Sequence, residues 1–244
     1  MTIESEKFES VLENFEIATA WIQGIGVRIG RGRLTTYKKF LLDLIDKYKD
    51  GTVDEVNDLF LPAMKNFYEI KDICNIYEGL KSIDKSQLIG IKSKLQKAVF
   101  GPASVTEETD KNSSARNHLF EALVSARLHN PENDLIVDLL SKSDTLVTFS
   151  NKKYFIECKR IQSIENVEKN LKKATDQLTA IFKRKIGSNN RGLIALDVSR
   201  VINPNFYLLA KKNDNSLEES VDGLLTEFID DFGGKWQKDL AKKK

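Results

Sequence analysis

With 244 residues, 41% of them hydrophobic and 30% charged, the chain has an ordinary globular composition and enough length for one large or two small domains. A net charge of +2 and a pI of about 8.3 do not by themselves mark a nucleic-acid binder, which is recognised by a clustered basic face and not by a total. Two distant cysteines, Cys74 and Cys158, give neither a disulfide framework nor zinc-finger spacing and favour a reducing, cytoplasmic setting; the polar start MTIESEKFES lacks an apolar signal core, and no apolar run is long enough to span a bilayer.

Residues 1–100 read as an all-helical domain. Phe8, Val11, Leu12, Phe15, Ile17 and Trp21 recur at near-helical spacing, and a glycine- and arginine-rich connection follows from Gly24 to Arg33. Tyr37, Phe40, Leu41, Leu44, Ile45 and Tyr48 mark a second amphipathic helix ending near Gly51. A longer helical stretch runs from about Val53 to Leu80, with Pro62 as a break or first-turn residue. Asp84 is placed to cap a helix carrying Leu88, Ile91, Leu95 and Val99. The polar, aperiodic segment 101–113 predicts a linker.

The pattern then changes. A helix from Ser114 to about His129 carries Leu119, Leu123, Ala126 and Leu128, and Asn130-Pro131 ends it. Leu135–Leu140 reads as a buried strand and Asp144–Phe149 as a second. Ser150–Lys153 makes a turn, and Tyr154–Arg160 is a third strand. A long basic helix from Ile164 to about Ile186, a buried strand at Gly192–Val198 and a helix from about Ser216 to Phe232 complete the chain. Helix, three strands, helix, strand, helix predicts an α/β domain over 114–244, with a mixed sheet flanked by helices.

The hairpin concentrates charge. Side chains alternate across a strand, so Glu157 and Lys159 share one face and Cys158 takes the other. A turn at 150–153 brings Asp144 toward Glu157 at one sheet end, with Lys159 beside them. Two close carboxylates repel unless a cation lies between them. Mg²⁺ suits that place, or Mn²⁺ in its stead, because it takes hard oxygen ligands, and the carbonyl of Cys158 adds another oxygen. A lysine beside such an ion serves to position or deprotonate a water, or to neutralise charge developing on a phosphate.

An Asp opening one strand, followed by Ile156-Glu157-Cys158-Lys159-Arg160 in its partner, resembles the PD-(D/E)xK nuclease superfamily over about residues 114–198. Ser143 stands where the family name has proline. The resemblance implies a restriction endonuclease-like fold and a metal-dependent phosphodiesterase acting on DNA, with Asp144 and Glu157 on the metal and Lys159 on the water or the transition state. It also implies a further acid from the preceding helix, here Glu121, for a second metal or a metal-bound water, and a polar residue from the following helix, here Gln177. Glu69-Ile70-Lys71 repeats the Glu-x-Lys spacing within a helical stretch, without a preceding strand Asp, and is assigned no chemistry.

His118, three residues before Glu121, shares its side of the helix and reads as a surface histidine or one behind the metal ligands, with metal binding the alternative; no His/Cys cluster supports zinc. The Gly24–Arg33 stretch lacks the Walker ending, so Arg28, Arg31 and Arg33 either contact phosphates or sit in a mobile solvated loop. Lys169, Lys172, Lys173, Lys183, Arg184 and Lys185, following the hairpin directly, are expected on nucleic-acid phosphates, as is Arg160. Nothing in the sequence separates DNA from RNA. Cutting both strands of a duplex needs two sites, which makes a homodimer plausible. Two other readings fit the same residues: a catalytically silent nucleic-acid-binding module, and a helical interaction protein with the α/β half as scaffold.

Overall fold

The computed structural model describes residues 7–50, 53–109, 111–141, 143–184, 189–204 and 214–241. These form eight α-helices: α1 (Phe8–Gly24), α2 (Arg33–Lys49), α3 (Val53–Leu80), α4 (Ile89–Ala98), α5 (Ser114–Leu128), α6 (Val167–Arg184), α7 (Ser199–Ile202) and α8 (Asp214–Ala241). Four strands accompany them: β1 (Ile136–Asp138), β2 (Thr145–Phe149), β3 (Lys152–Arg160) and β4 (Asn190–Asp197). No described helix is long and apolar enough to cross a membrane.

The helical periodicities become buried stripes. Val11, Phe15, Ala18 and Ile22 of α1 meet Leu34, Tyr37, Leu41 and Ile45 of α2 in one core, which also takes in Ile70, Ile73, Ile76 and Leu80 of α3. Three expectations change. α3 runs through Pro62 without ending; a mid-helix proline costs about 3 kcal/mol, and packing of α3 along α1, α2 and α5 offsets it. Asp84 is not the cap of α4: its carbonyl accepts from the Gln87 and Leu88 amides in a turn preceding the helix. The Gly24–Arg33 connection is not a free loop. Val27 and Ile29 are buried, and the Arg28 backbone exchanges two hydrogen bonds with the Gln96 side chain, at 2.9 and 3.0 Å.

α5 joins the two halves because it carries two apolar stripes. Leu119, Ala122, Leu123 and Ala126 belong to the core of the N-terminal helices. Phe120, Val124 and Leu128, on its other side, cover Val147, Ile156 and Cys158 of the sheet. The expected linker at 101–113 is tied to the sheet half at one point. Glu108 is buried, accepts from Arg160 Nη1 at 2.7 Å, and has its carbonyl held by Arg200. α3 and α5 approach so closely at Gly79 that a Cβ there would strike the Ala126 carbonyl. Gly79→Ala is therefore expected to destabilise the chain by about 1–3 kcal/mol, as overpacking does, read as a lowered urea midpoint at unchanged m-value.

The sheet order is β1-β2-β3-β4, antiparallel except for the parallel pair β3/β4, which α6 connects. Ser150 and Asn151 form the β2/β3 turn with φ of 47° and 60°. Left-handed values at both central residues match the right-handed twist of the strands and set the register, Phe149 opposite Lys152 and Thr145 opposite Ile156. On the face away from α5, Leu146 and Phe155 pack against Leu178 of α6. β1 is shorter than the expected 135–140 strand and is an edge: only Val137 is buried, while Leu140 turns outward with its amide donating to Asp138 Oδ1. β4 differs from the buried strand its apolar run predicts: it ends the strand order among the described residues, and Leu193 is exposed.

Candidate active site

The β2/β3 register decides where the acids meet. Thr145 pairs with Ile156, so one step further along the antiparallel ladder Asp144 lies across from Glu157, on the face shared with Leu146 and Phe155. Asp144 precedes β2, where the ladder ends, and its side chain replaces a backbone partner: the Cys158 amide donates to Asp144 Oδ2 at 2.8 Å. Ser143, the residue before Asp144, is buried. Its hydroxyl donates to the Thr145 carbonyl at 3.1 Å and fixes the turn into the strand.

Lys159 closes the group. Its Nζ donates to Asp144 Oδ2 and Glu157 Oε2, each at 3.3 Å, and to the Cys158 carbonyl at 3.0 Å. A cation is thus already held among two carboxylates and a peptide oxygen. Glu157 is only 2% exposed. Burial pushes its carboxyl up to about 7, the Asp144 carboxyl adds to the rise, and the Lys159 ammonium opposes it. With both acids ionised, one lysine leaves the group short of positive charge, an electrostatic deficit typical of functional sites. Burial likewise raises the Cys158 thiol to about 12, so it is not a nucleophile; its carbonyl is the useful atom.

Glu121 does not join this trio directly. It faces Lys94 Nζ at 3.2 Å and His118 Nδ1 at 3.4 Å. Burial raises its carboxyl, but the His118 and Lys94 partners outweigh that and hold it below the usual carboxylate range. Lys94 Nζ also donates to the Asp144 carbonyl, so one ammonium ties Glu121 to the backbone of Asp144. Among the described residues no group of three or more His, Cys, Asp and Glu side chains is placed to hold a metal ion; the oxygens gathered here are two carboxylates and one carbonyl, all bonded to the Lys159 ammonium. Those oxygens fit Mg²⁺ or Mn²⁺, which complete their shell with water and substrate.

The basic residues divide sharply. Lys169, Lys172 and Lys173 are exposed on α6 and, with Asp176, Gln177 and Ala180, line an open depression of about 470 Å³. Gln177 Oε1 is buried with no hydrogen-bond partner among the described residues. Lys183, Arg28 and Arg31 are exposed, whereas the Arg184 side chain and Lys185 lie outside the described residues. Arg160 and Arg33 are corrections. Arg160 is clasped between Glu108 at 2.7 Å and Asp197 at 2.8 Å, and Arg33 is buried against Glu69 at 2.8 Å. Each has its charge consumed inside the protein and is withdrawn from phosphate contact.

Lys94 and Glu108 had no sequence signal. Lys94 borders the Ile91/Leu95 stripe of α4 as Lys92 and Lys97 also do, and Glu108 stands in an aperiodic polar stretch. Comparison of the chain with protein-family models, with curated proteins and with solved structures found no match.

Proposed function

We propose that the chain is a Mg²⁺- or Mn²⁺-dependent nuclease that hydrolyses DNA phosphodiester bonds on a restriction endonuclease-like α/β domain. One observation carries the reading: a buried glutamate of β3 and the aspartate just before β2 converge on a single ammonium, that of Lys159, with a peptide carbonyl completing the set. A purely structural ion pair has little reason to bury a second, undercompensated carboxylate. Asp144, Glu157 and the Cys158 carbonyl would hold the ion, which when bound supplies Lewis-acid stabilisation of phosphate oxygens and an acidified water. Lys159 is the residue beside the reacting atoms. With its ammonium close to both acids it can orient a water by donation, or offset charge gathering on the phosphate. Lys169, Lys172 and Lys173 supply sequence-independent attraction for the phosphate backbone along α6, and this part of the interaction should weaken steeply with salt.

The test is incubation of the purified chain with supercoiled plasmid, with Mn²⁺ or with EDTA. Nicking is expected only with the metal and is expected to vanish in Glu157→Ala and in Lys159→Ala. Nicking that persists in both variants would overturn the assignment.

A further inference from the structure

We propose that Lys94, on the N-terminal helices, is a positioning residue of the candidate site: its ammonium holds the Asp144 peptide where β2 begins, so the site is assembled from both halves of the chain. The inference deepens the nuclease reading and, as a claim about the metal site, rests on it.

The argument begins with the face that α4 turns to the sheet. Gly90 and Lys94 are four residues apart in α4 and therefore share a side of the helix. At Gly90 the helix backbone comes so close to the Leu139 carbonyl that a Cβ would overlap it. One turn later Lys94 donates to the carbonyl of Asp144 and pairs with Glu121 Oε2 at 3.2 Å. The same side of α4 thus touches Leu139, just after β1, and Asp144, just before β2. The placement matters because Asp144 lies outside the regular ladder. Its carboxyl takes the Cys158 amide at 2.8 Å, so its backbone needs an anchor other than a neighbouring strand. Lys94 supplies it with one charged group, only 20% exposed, that is neutralised by Glu121. Glu121 in this arrangement keeps Lys94 aimed at Asp144, a role distinct from coordinating a second ion.

The test uses the full-length chain with Lys94→Met and Lys94→Arg, and two readouts. The first needs no metal: hydrogen exchange of the Cys158 amide, which reports the bond to Asp144. Its protection is expected to fall about tenfold or more in Lys94→Met, while the Ile156 amide in the same strand keeps its rate. The second is the concentration of Mn²⁺ at half-saturation, followed by the electron paramagnetic resonance of free Mn²⁺. It is expected to rise about 10–100-fold in Lys94→Met, the usual range for removing a group that orients a ligand, and less in Lys94→Arg, which keeps the charge for Glu121. Unchanged Cys158 protection in Lys94→Met overturns the proposal. So does a Lys94→Arg chain that shifts as far as Lys94→Met in both readouts, since that would report disturbed packing and not the loss of a donor. A wild-type chain that neither binds Mn²⁺ nor nicks plasmid overturns the nuclease reading instead, and leaves the exchange measurement to decide whether Lys94 anchors Asp144.

Discussion

Lys159→Met is expected to lower metal-dependent cleavage about 10²–10⁴-fold, the range associated with a group acting on the transferred proton, while making the chain more responsive to Mn²⁺. The second half of this expectation separates it from a simple loss of fold. In the metal-free chain the ammonium of Lys159 neutralises part of the charge on Asp144 and Glu157, both 3.3 Å away. Methionine fills a similar volume and removes the charge, so two acids, one of them buried, lose their shared counter-ion. Stripping one partner from such a group costs about 3 kcal/mol or more. A divalent ion then has more to restore, and the rise in melting temperature on adding Mn²⁺ should exceed that of the wild type. The effect has a defined pH window. Burial raises the Glu157 carboxyl from 4.5 to about 7, so its contribution favours folding at low pH and is lost as pH rises through about 7. Removing the opposing lysine pushes the carboxyl higher still. The metal-free variant should therefore fall behind the wild type far more at pH 8 than at pH 5.5. Thermal unfolding at both pH values, with EDTA and with Mn²⁺, checks this. A Lys159→Met chain whose melting temperature tracks the wild type in all four conditions would show that the ammonium does not compensate these acids.

Short-range pattern carried the hairpin. Period-two alternation placed Glu157 and Lys159 on one face, turn residues at 150–151 set the register, and antiparallel pairing then brought Asp144 opposite Glu157. The amphipathic helices were legible for the same reason, because a core-facing stripe repeats within one element. What escaped depends on contacts between distant segments. Arginine is usually exposed, so Arg33 and Arg160 read as surface charge; each is buried because an acid remote in sequence, Glu69 or Glu108, awaits it. α5 shows only one obvious apolar stripe in sequence, although Phe120, Val124 and Leu128 on its other side cover the sheet while Leu119 and Leu123 face the helices. Lys94 carries no local signal for the same reason, since its partners, the Asp144 carbonyl and Glu121, are remote in sequence.

Glu69→Ala should be among the most destabilising single substitutions in the helical half, at about 3–5 kcal/mol. Glu69 Oε2 lies 2.8 Å from Arg33 Nη1 and accepts from the Tyr37 hydroxyl at 2.7 Å, while Oε1 accepts from Arg116 Nε at 2.6 Å. The Arg33 side chain is fully enclosed and that of Arg116 nearly so. Alanine would leave two buried guanidinium groups with no acid between them and one phenol without its acceptor. Burial, with the Glu69 carboxylate adding to it, raises the Tyr37 phenol; the hydroxyl therefore stays a donor throughout the accessible pH range and cannot take over as counter-charge. A paired change distinguishes buried charge from lost packing: Glu69→Met with Arg33→Met removes one cation along with the anion and should recover part of the loss, whereas a cavity effect would be additive. Chemical denaturation of Glu69→Met, Arg33→Met and the double variant reads the difference. The consequence reaches the candidate site because Arg116 opens α5, two residues before His118 and five before Glu121, and also holds the Ala103 carbonyl at 3.1 Å. Freed from Glu69, the start of α5 would loosen where it presents Glu121 to Lys94. The Glu69→Ala chain, assayed well below its melting temperature, should then need more Mn²⁺ than the wild type to reach half-maximal nicking of supercoiled plasmid. An unchanged Mn²⁺ requirement in a measurably destabilised chain would show that the charge cluster around Glu69 stabilises the helices without positioning the site.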